Sequence, residues 1–210
     1  MDRREAVKYI SILLGGTFVG ADAILSGCKS DTGKHTEFTP EDIAYLNEIG
    51  ETILPQTSTP GAKAANVGQF MTIMVNDCYE EGDQTAFHEG MDKLNDASKK
   101  KFDKTFMNIT PQQRQELLIE IDNESKEYQK TKVNKFNEEE NRKEKDEIAK
   151  GNKTYKKQRI SPHYFMMMKQ LTLLGFFTSK EGLTKAVNYQ AVPGRFDGCI
   201  PYKKGDKLMV

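Results

Sequence analysis

Three cysteines carry the clearest chemistry in this sequence: Cys28, Cys78 and Cys199. Leu25-Ser26-Gly27-Cys28 sets small residues just before a cysteine, behind a basic head (MDRREAVK) and a short apolar run from Tyr9 to about Gly20. Small residues let a peptidase reach the bond before the cysteine, whose thiol takes a diacylglyceryl group; the stretch resembles a bacterial lipobox closing a signal peptide over residues 1–27. A chain cut there begins at Cys28 and is anchored by several acyl chains, at about 0.8 kcal/mol per buried methylene. The bland alternative is a free cysteine that follows a small pair. A retained membrane span would need about 20 apolar residues, and this run ends before Asp22. Arg3-Arg4, followed by Lys8, resembles a twin-arginine export signal, with Ala6 and Val7 where an aromatic and a leucine are usual. Twin-arginine and general secretion therefore both stay open, and the difference matters because the first carries folded, cofactor-loaded cargo.

With Cys28 committed to lipid, Cys78 and Cys199 remain, and two thiols in an exported protein are candidates for one disulfide. Closing a loop of more than about 100 residues would stabilise by roughly 4 to 5 kcal/mol in the chain-entropy model. Two separate buried cysteines are the alternative. Catalytic signatures are scarce: the chain has no CxxCH, GxGxxG, GxSxG or HExxH. Its three histidines (His35, His88, His163) hardly supply a zinc site. His163 opens an apolar helix and reads as a packing or capping residue rather than a general base. His88 and Glu89 diverge on a helix, so they make no obvious acid-base pair. Arg195 and Asp197 in GRFDG could contact a ligand, but on a tight turn they are expected to fix the turn or, with Pro193 and Gly194, to form a partner surface.

The elements that must position these groups are helices. Of 210 residues 37% are apolar and 30% charged, ordinary for one buried core, and 31 basic against 31 acidic residues give no pull toward nucleic acid. Residues 28–38 read as a polar tether. Thr39-Pro40-Glu41-Asp42 starts a helix carrying Ile43, Leu46, Ile49 and Ile53, which stops by Pro55. Val67, Phe70, Met71, Met74, Val75 and Cys78 mark one buried face of a second helix, their methionines core filler rather than ligands. Asp83 can cap a third with Phe87, Met91, Leu94 and Phe102; Thr110-Pro111-Gln112-Gln113 caps a fourth that buries Leu117, Leu118 and Ile121. From about 130 to 159 mixed charge predominates, as in a solvated helix or a mobile excursion. Ser161-Pro162 then restarts a helix, HYFMMMKQLTLLGFF, apolar on nearly every side and expected at the centre of a bundle. Leu173 to Pro201 is rich in turns, with Pro193-Gly194 and Asp197-Gly198 pairs. The fold class expected is all-α: a small irregular helical bundle over 39–210 with a turn-rich C-terminal segment.

FTPEDIAYLNEIGETILPQTSTPGAKAANVGQFM, the residues around Asp77-Cys78-Tyr79 and the ending LTLLGFFTSKEG...YQAVPGRFDGC together resemble the gluconate 2-dehydrogenase subunit 3 family. The resemblance covers most of the mature chain outside the charged excursion, and its paired motifs are ILPQTSTPGA and VPGRFDGC. It implies a non-catalytic accessory subunit without a cofactor of its own. A flavin-containing large subunit bearing FAD would oxidise a sugar or sugar acid, and a cytochrome subunit bearing haem c would pass electrons on. The small subunit would support assembly or export, lipid-anchored on the periplasmic side of a bacterial membrane. The competing class is a free-standing periplasmic lipoprotein that binds a small ligand or is an uncharacterised enzyme.

Overall fold

The structure, a computed structural model, describes residues 37–192, 194, 195, 198, 199 and 201–209. Its helices are α1 (Pro40–Ile53), α2 (Val67–Cys78), α3 (Glu81–Phe102), α4 (Pro111–Tyr128), α5 (Asn134–Ala149) and α6 (Tyr164–Phe177). No strand occurs among the described residues, so the all-α class holds. Two helix starts are local decisions written in the sequence. Thr39 and Asp42 exchange side-chain and backbone hydrogen bonds at the start of α1, and Thr110 and Gln113 do the same for α4, each with proline at the first turn.

The core forms where the apolar stripes meet. α1 contributes Leu46 and Ile49, α2 Val67, Met71 and Val75, α3 Phe87 and Leu94, α4 Leu117, Leu118 and Ile121, and α6 Phe165, Met168, Leu171 and Phe176. Phe106 joins them from a 3₁₀ turn between α3 and α4. α1 and α2 cross closely at Gly68: a Cβ there would strike the Ile43 carbonyl oxygen and lie 2.9 Å from Asn47 N, so the crossing requires glycine. The Asn47 side chain accepts from Gly68 N at 2.8 Å and closes the contact.

Asp83 departs from expectation. It does not cap α3, which begins two residues earlier; its buried carboxylate instead receives the guanidinium of Arg159. A long-range partner has taken an acid that looked like a local cap.

The charged stretch is ordered. α4 runs on through Gln129–Val133, where the winding widens so that Asn134 N reaches Gln129 O, and continues as α5; Pro111 to Ala149 is thus one helical rod about 60 Å long at 1.5 Å per residue. Residues 150–162 return along α5, and the covering contacts are polar. Glu140, 2% exposed yet outside the main core, accepts from Tyr155 Oη at 2.9 Å, Gln158 N at 3.0 Å and Lys143 Nζ at 2.7 Å. Glu144 pairs with Lys157 at 2.7 Å, and Glu147 with Lys150 at 3.0 Å.

Lys143 foremost, then the Gln158 N–H and, against the opposing effect of burial, the Tyr155 hydroxyl hold the Glu140 carboxyl at about 2, below its ordinary value near 4.5. The folded segment therefore disfavours a proton that the unfolded chain accepts. Its hold is complete above pH 4.5, weakens as pH falls, and is gone by about pH 2. NMR should show the Gln158 amide and the Tyr155 ring moving to solvent-like shifts over that window. Glu140→Gln should give those shifts already at pH 7 and remove the pH dependence.

Candidate functional site

Glu51 organises the loop after α1, which contains the ILPQTSTPGA motif. One of its carboxylate oxygens accepts from Gln56 N at 2.8 Å and the other from Lys63 N at 2.9 Å, while Ala62 N bonds back to Leu54 O at 2.9 Å. A Cβ on Gly61 would collide with both oxygens and sit 2.5 Å from Gln56 N, which explains glycine at that place in the motif. One helical turn earlier, Glu48 receives Lys63 and Arg114. Burial pushes the Glu48 carboxyl up, but the two cations outweigh it and hold it below the usual carboxylate range. Arg114 also donates to the carbonyls of Phe106 at 3.0 Å and Met107 at 2.8 Å. Arg114 and Glu48 thus tie α1 to α4 and the 3₁₀ turn.

α6 differs from the other helices. Its inner side packs Phe165, Met167, Met168, Leu171 and Phe176 into the core, and Gly175 lies against Phe70 of α2. Its outer side holds Leu173, Leu174 and Phe177 in solvent, the last two 47% and 43% exposed. The expected central helix is thus covered on one side only. From Gln170 to Phe177 the helix carries no charge, and a packed scaffold holds this apolar stripe in place. Leu173, Leu174 and Phe177 escaped sequence reasoning, although one signal was present. A helix apolar all round must be surrounded or must have a partner, and the remaining amphipathic helices of one small domain have few spare apolar faces to surround it.

The stripe leads into the turn-rich segment through Gly182–Ala186. Gly194 takes a left-handed φ of 73°, as its place behind a proline predicts. Gly194, Arg195, Gly198 and Cys199 are all exposed. Pro193 and Asp197, together with Arg3, Arg4 and Cys28, lie outside the described residues.

The expected Cys78–Cys199 bond is not formed: both thiols are free and exposed. Cys78 closes α2, where the stripe of buried positions has already ended at Val75, and Cys199 stands in a segment that folds on itself through an Asn188–Met209 bridge. His163 is the cap of α6, its Nδ1 accepting from Phe165 N at 3.3 Å; burial lowers its pKa, against a weaker upward pull from Glu124. Neutral, capping and buried, it is placed for packing and not for proton transfer. His88 stacks on Phe38 at 4.2 Å, and Glu89 is taken by Lys93 at 2.9 Å.

A groove of about 380 Å³ runs over Ile53, Leu118, Ile119 and Phe165 and ends at Asp122, Lys126 and Lys169. Burial raises the Asp122 carboxyl, but the two lysines, at 2.6 and 2.7 Å, outweigh it and keep it ionised. Such a carboxylate offers no proton at neutral pH. Among the described residues no group of three or more His, Cys, Asp or Glu is placed to hold a metal ion, and no helix is long and apolar enough to cross a membrane.

A family model described as gluconate 2-dehydrogenase subunit 3 matches residues 40–194, from the first turn of α1 to Gly194. No match was found among curated proteins or among solved structures.

Proposed function

Because the chain belongs to the gluconate 2-dehydrogenase subunit 3 family, we propose that it is the non-catalytic accessory subunit of a membrane-associated, flavin-dependent sugar or sugar-acid dehydrogenase, and that it supports assembly or export of the catalytic subunit. The family name makes the protein one subunit of a multi-subunit dehydrogenase. The observation that carries the finer reading is the outer face of α6. Leu173, Leu174 and Phe177 stand in water on a helix whose other side is locked in the core, so a partner meets them preorganised, with little ordering entropy to overcome. The catalytic subunit would hold FAD and a cytochrome subunit haem c. This chain would sit on the periplasmic side of a bacterial membrane, anchored through a lipid on Cys28, and supply surface rather than chemistry.

Affinity isolation from detergent-solubilised membranes, followed by an absorption spectrum of the eluate, tests this directly. A co-eluting large polypeptide with flavin absorbance is expected. A lone monomer whose melting temperature rises with a small sugar would replace the reading with that of a binding protein. The export half has its own test. If Arg3 and Arg4 form a twin-arginine signal and the catalytic subunit travels with this chain, Arg3→Lys with Arg4→Lys leaves flavin dehydrogenase activity in the cytoplasmic fraction. Unchanged periplasmic activity removes the export role and leaves the assembly role standing.

A further inference from the structure

Beyond α6 the chain exposes large apolar side chains that the body leaves uncovered, among them Tyr189, Val192, Tyr202, Leu208 and Met209; Tyr202 and Leu208 are 64% and 65% exposed. The two ends of this segment are tied together: Asn188 N donates to Leu208 O at 2.8 Å, and Asn188 and Met209 form a parallel bridge. Tyr189 follows the residue so tied, and Asn188, Pro201, Tyr202, Leu208 and Met209 line a hollow of about 580 Å³. A turn at Gly205, φ 102°, lies between Tyr202 and Leu208, and Asp206 accepts from Lys203 N at 2.8 Å to fix it. Lys203, Lys204 and Lys207 stand exposed on that turn.

We infer that this looped extension is a docking surface for a membrane carrying anionic phospholipid. Two aromatics, aliphatic tips and three lysines within one small loop match the headgroup boundary. The rings and Leu208 enter the edge of the acyl region, the lysine stems lie along them, and the ammonium groups meet lipid phosphates. The lysines also decide against a protein partner here. Protein interfaces deplete lysine and favour uncharged anchors, which describes the Leu173, Leu174 and Phe177 stripe and not this loop. The molecule thus carries two different apolar surfaces, one for protein on α6 and one for lipid beyond it. The lipid surface stands on its own observations and not on the accessory-subunit reading, and it acts independently of any acyl chain on Cys28.

The chain has no tryptophan, so Tyr202→Trp in the full chain gives a single emission reporter in the loop itself, blind to insertion of any other segment. On phosphatidylcholine vesicles containing phosphatidylglycerol, the emission shifts to the blue and is quenched by brominated acyl chains; on phosphatidylcholine alone both effects fall away. A lysine near an anionic surface contributes about fivefold to partition, so Lys203→Gln, Lys204→Gln and Lys207→Gln together lower it roughly a hundredfold, and high salt does the same. An emission unmoved by phosphatidylglycerol vesicles overturns the inference, as does a shift indifferent to lipid charge and to the lysines. A shift that appears only when the catalytic subunit is added also overturns it and makes the loop part of the protein interface.

Discussion

A chain carrying Leu174→Glu and Phe177→Glu is expected to keep its fold and lose its dehydrogenase partner. Both side chains are close to half exposed, and changes at such positions ordinarily stay within about 0.5 kcal/mol. Glutamate is a good helix former, though near the negative end of α6 each new charge costs a few tenths to about 1 kcal/mol. The melting temperature should therefore fall by only a few degrees. At the interface the consequences are larger. Two anchors are lost, and two carboxylates must be desolvated against an apolar patch, so affinity should drop at least about a hundredfold, or about 2.7 kcal/mol.

Quantitative pull-down at fixed concentrations reads this loss, with circular dichroism on the same preparation. Leu174→Ala with Phe177→Ala serves as the uncharged control and should weaken the partner less. Undiminished recovery of flavin with the double glutamate variant would show that α6 is not the docking face. The effect bears on function because the stripe belongs to a helix that also builds the core. Phe176 and Phe177 are neighbours, one buried and one in water, so the proposed partner would meet a helix whose other side is packed into the core.

How much of this could be read from the sequence depends on how local the cause was. The starts of α1 and α4 were legible because Thr39 with Asp42, and Thr110 with Gln113, settle their hydrogen bonds within four residues. The stripes on α2, α3 and α4 were legible because periodicity reports one buried face. Asp83 misled because its partner, Arg159, comes from the far end of the charged segment. Cys78 misled because extending a buried stripe by one more turn assumes that a neighbour still covers the helix end. The charged segment concealed a buried glutamate because two of the three partners of Glu140 lie 15 and 18 residues further on, in irregular chain whose hydrogen bonds no periodicity announces. The exposed face of α6 was legible in composition but not in placement. Hydropathy shows which side chains avoid water, not whether the rest of the chain suffices to cover them. Glu51, just before the first motif, gave no signal of its own, because its partners Gln56 N and Lys63 N belong to the loop that closes over it.

Arg114→Met should destabilise the fold by about 2–3 kcal/mol, lowering the melting temperature by roughly 5–10 °C for a domain of this size. The guanidinium is 14% exposed and uses its planar donor fork fully: Nε to Phe106 O at 3.0 Å, Nη1 to Glu48 Oε2 at 2.6 Å, and Nη2 to Met107 O at 2.8 Å. It also stands 5.3 Å from the centre of the buried Phe106 ring. Methionine keeps the stem's packing but leaves two carbonyls without that donor and a half-buried carboxylate with Lys63 alone. The loss falls short of the 3–5 kcal/mol typical of a fully buried broken pair, because Lys63 remains and Glu48 keeps some contact with water. Arg114→Lys should recover only a small part, since one ammonium cannot serve three acceptors spread across a planar fork. Glu48→Gln on top of Arg114→Met should restore at most about 1 kcal/mol by removing a charge that Lys63 alone compensates only in part. Equal melting temperatures for Arg114→Met and the unaltered protein would mean that the lock between α1, α4 and the 3₁₀ turn rests on apolar packing alone. Because Glu48 also holds Lys63, and Lys63 N closes the Glu51 loop, loss of Arg114 should loosen the ILPQTSTPGA motif as well. Amide hydrogen exchange at Gln56 and Lys63, faster in Arg114→Met than in the unaltered protein, would reveal that coupling.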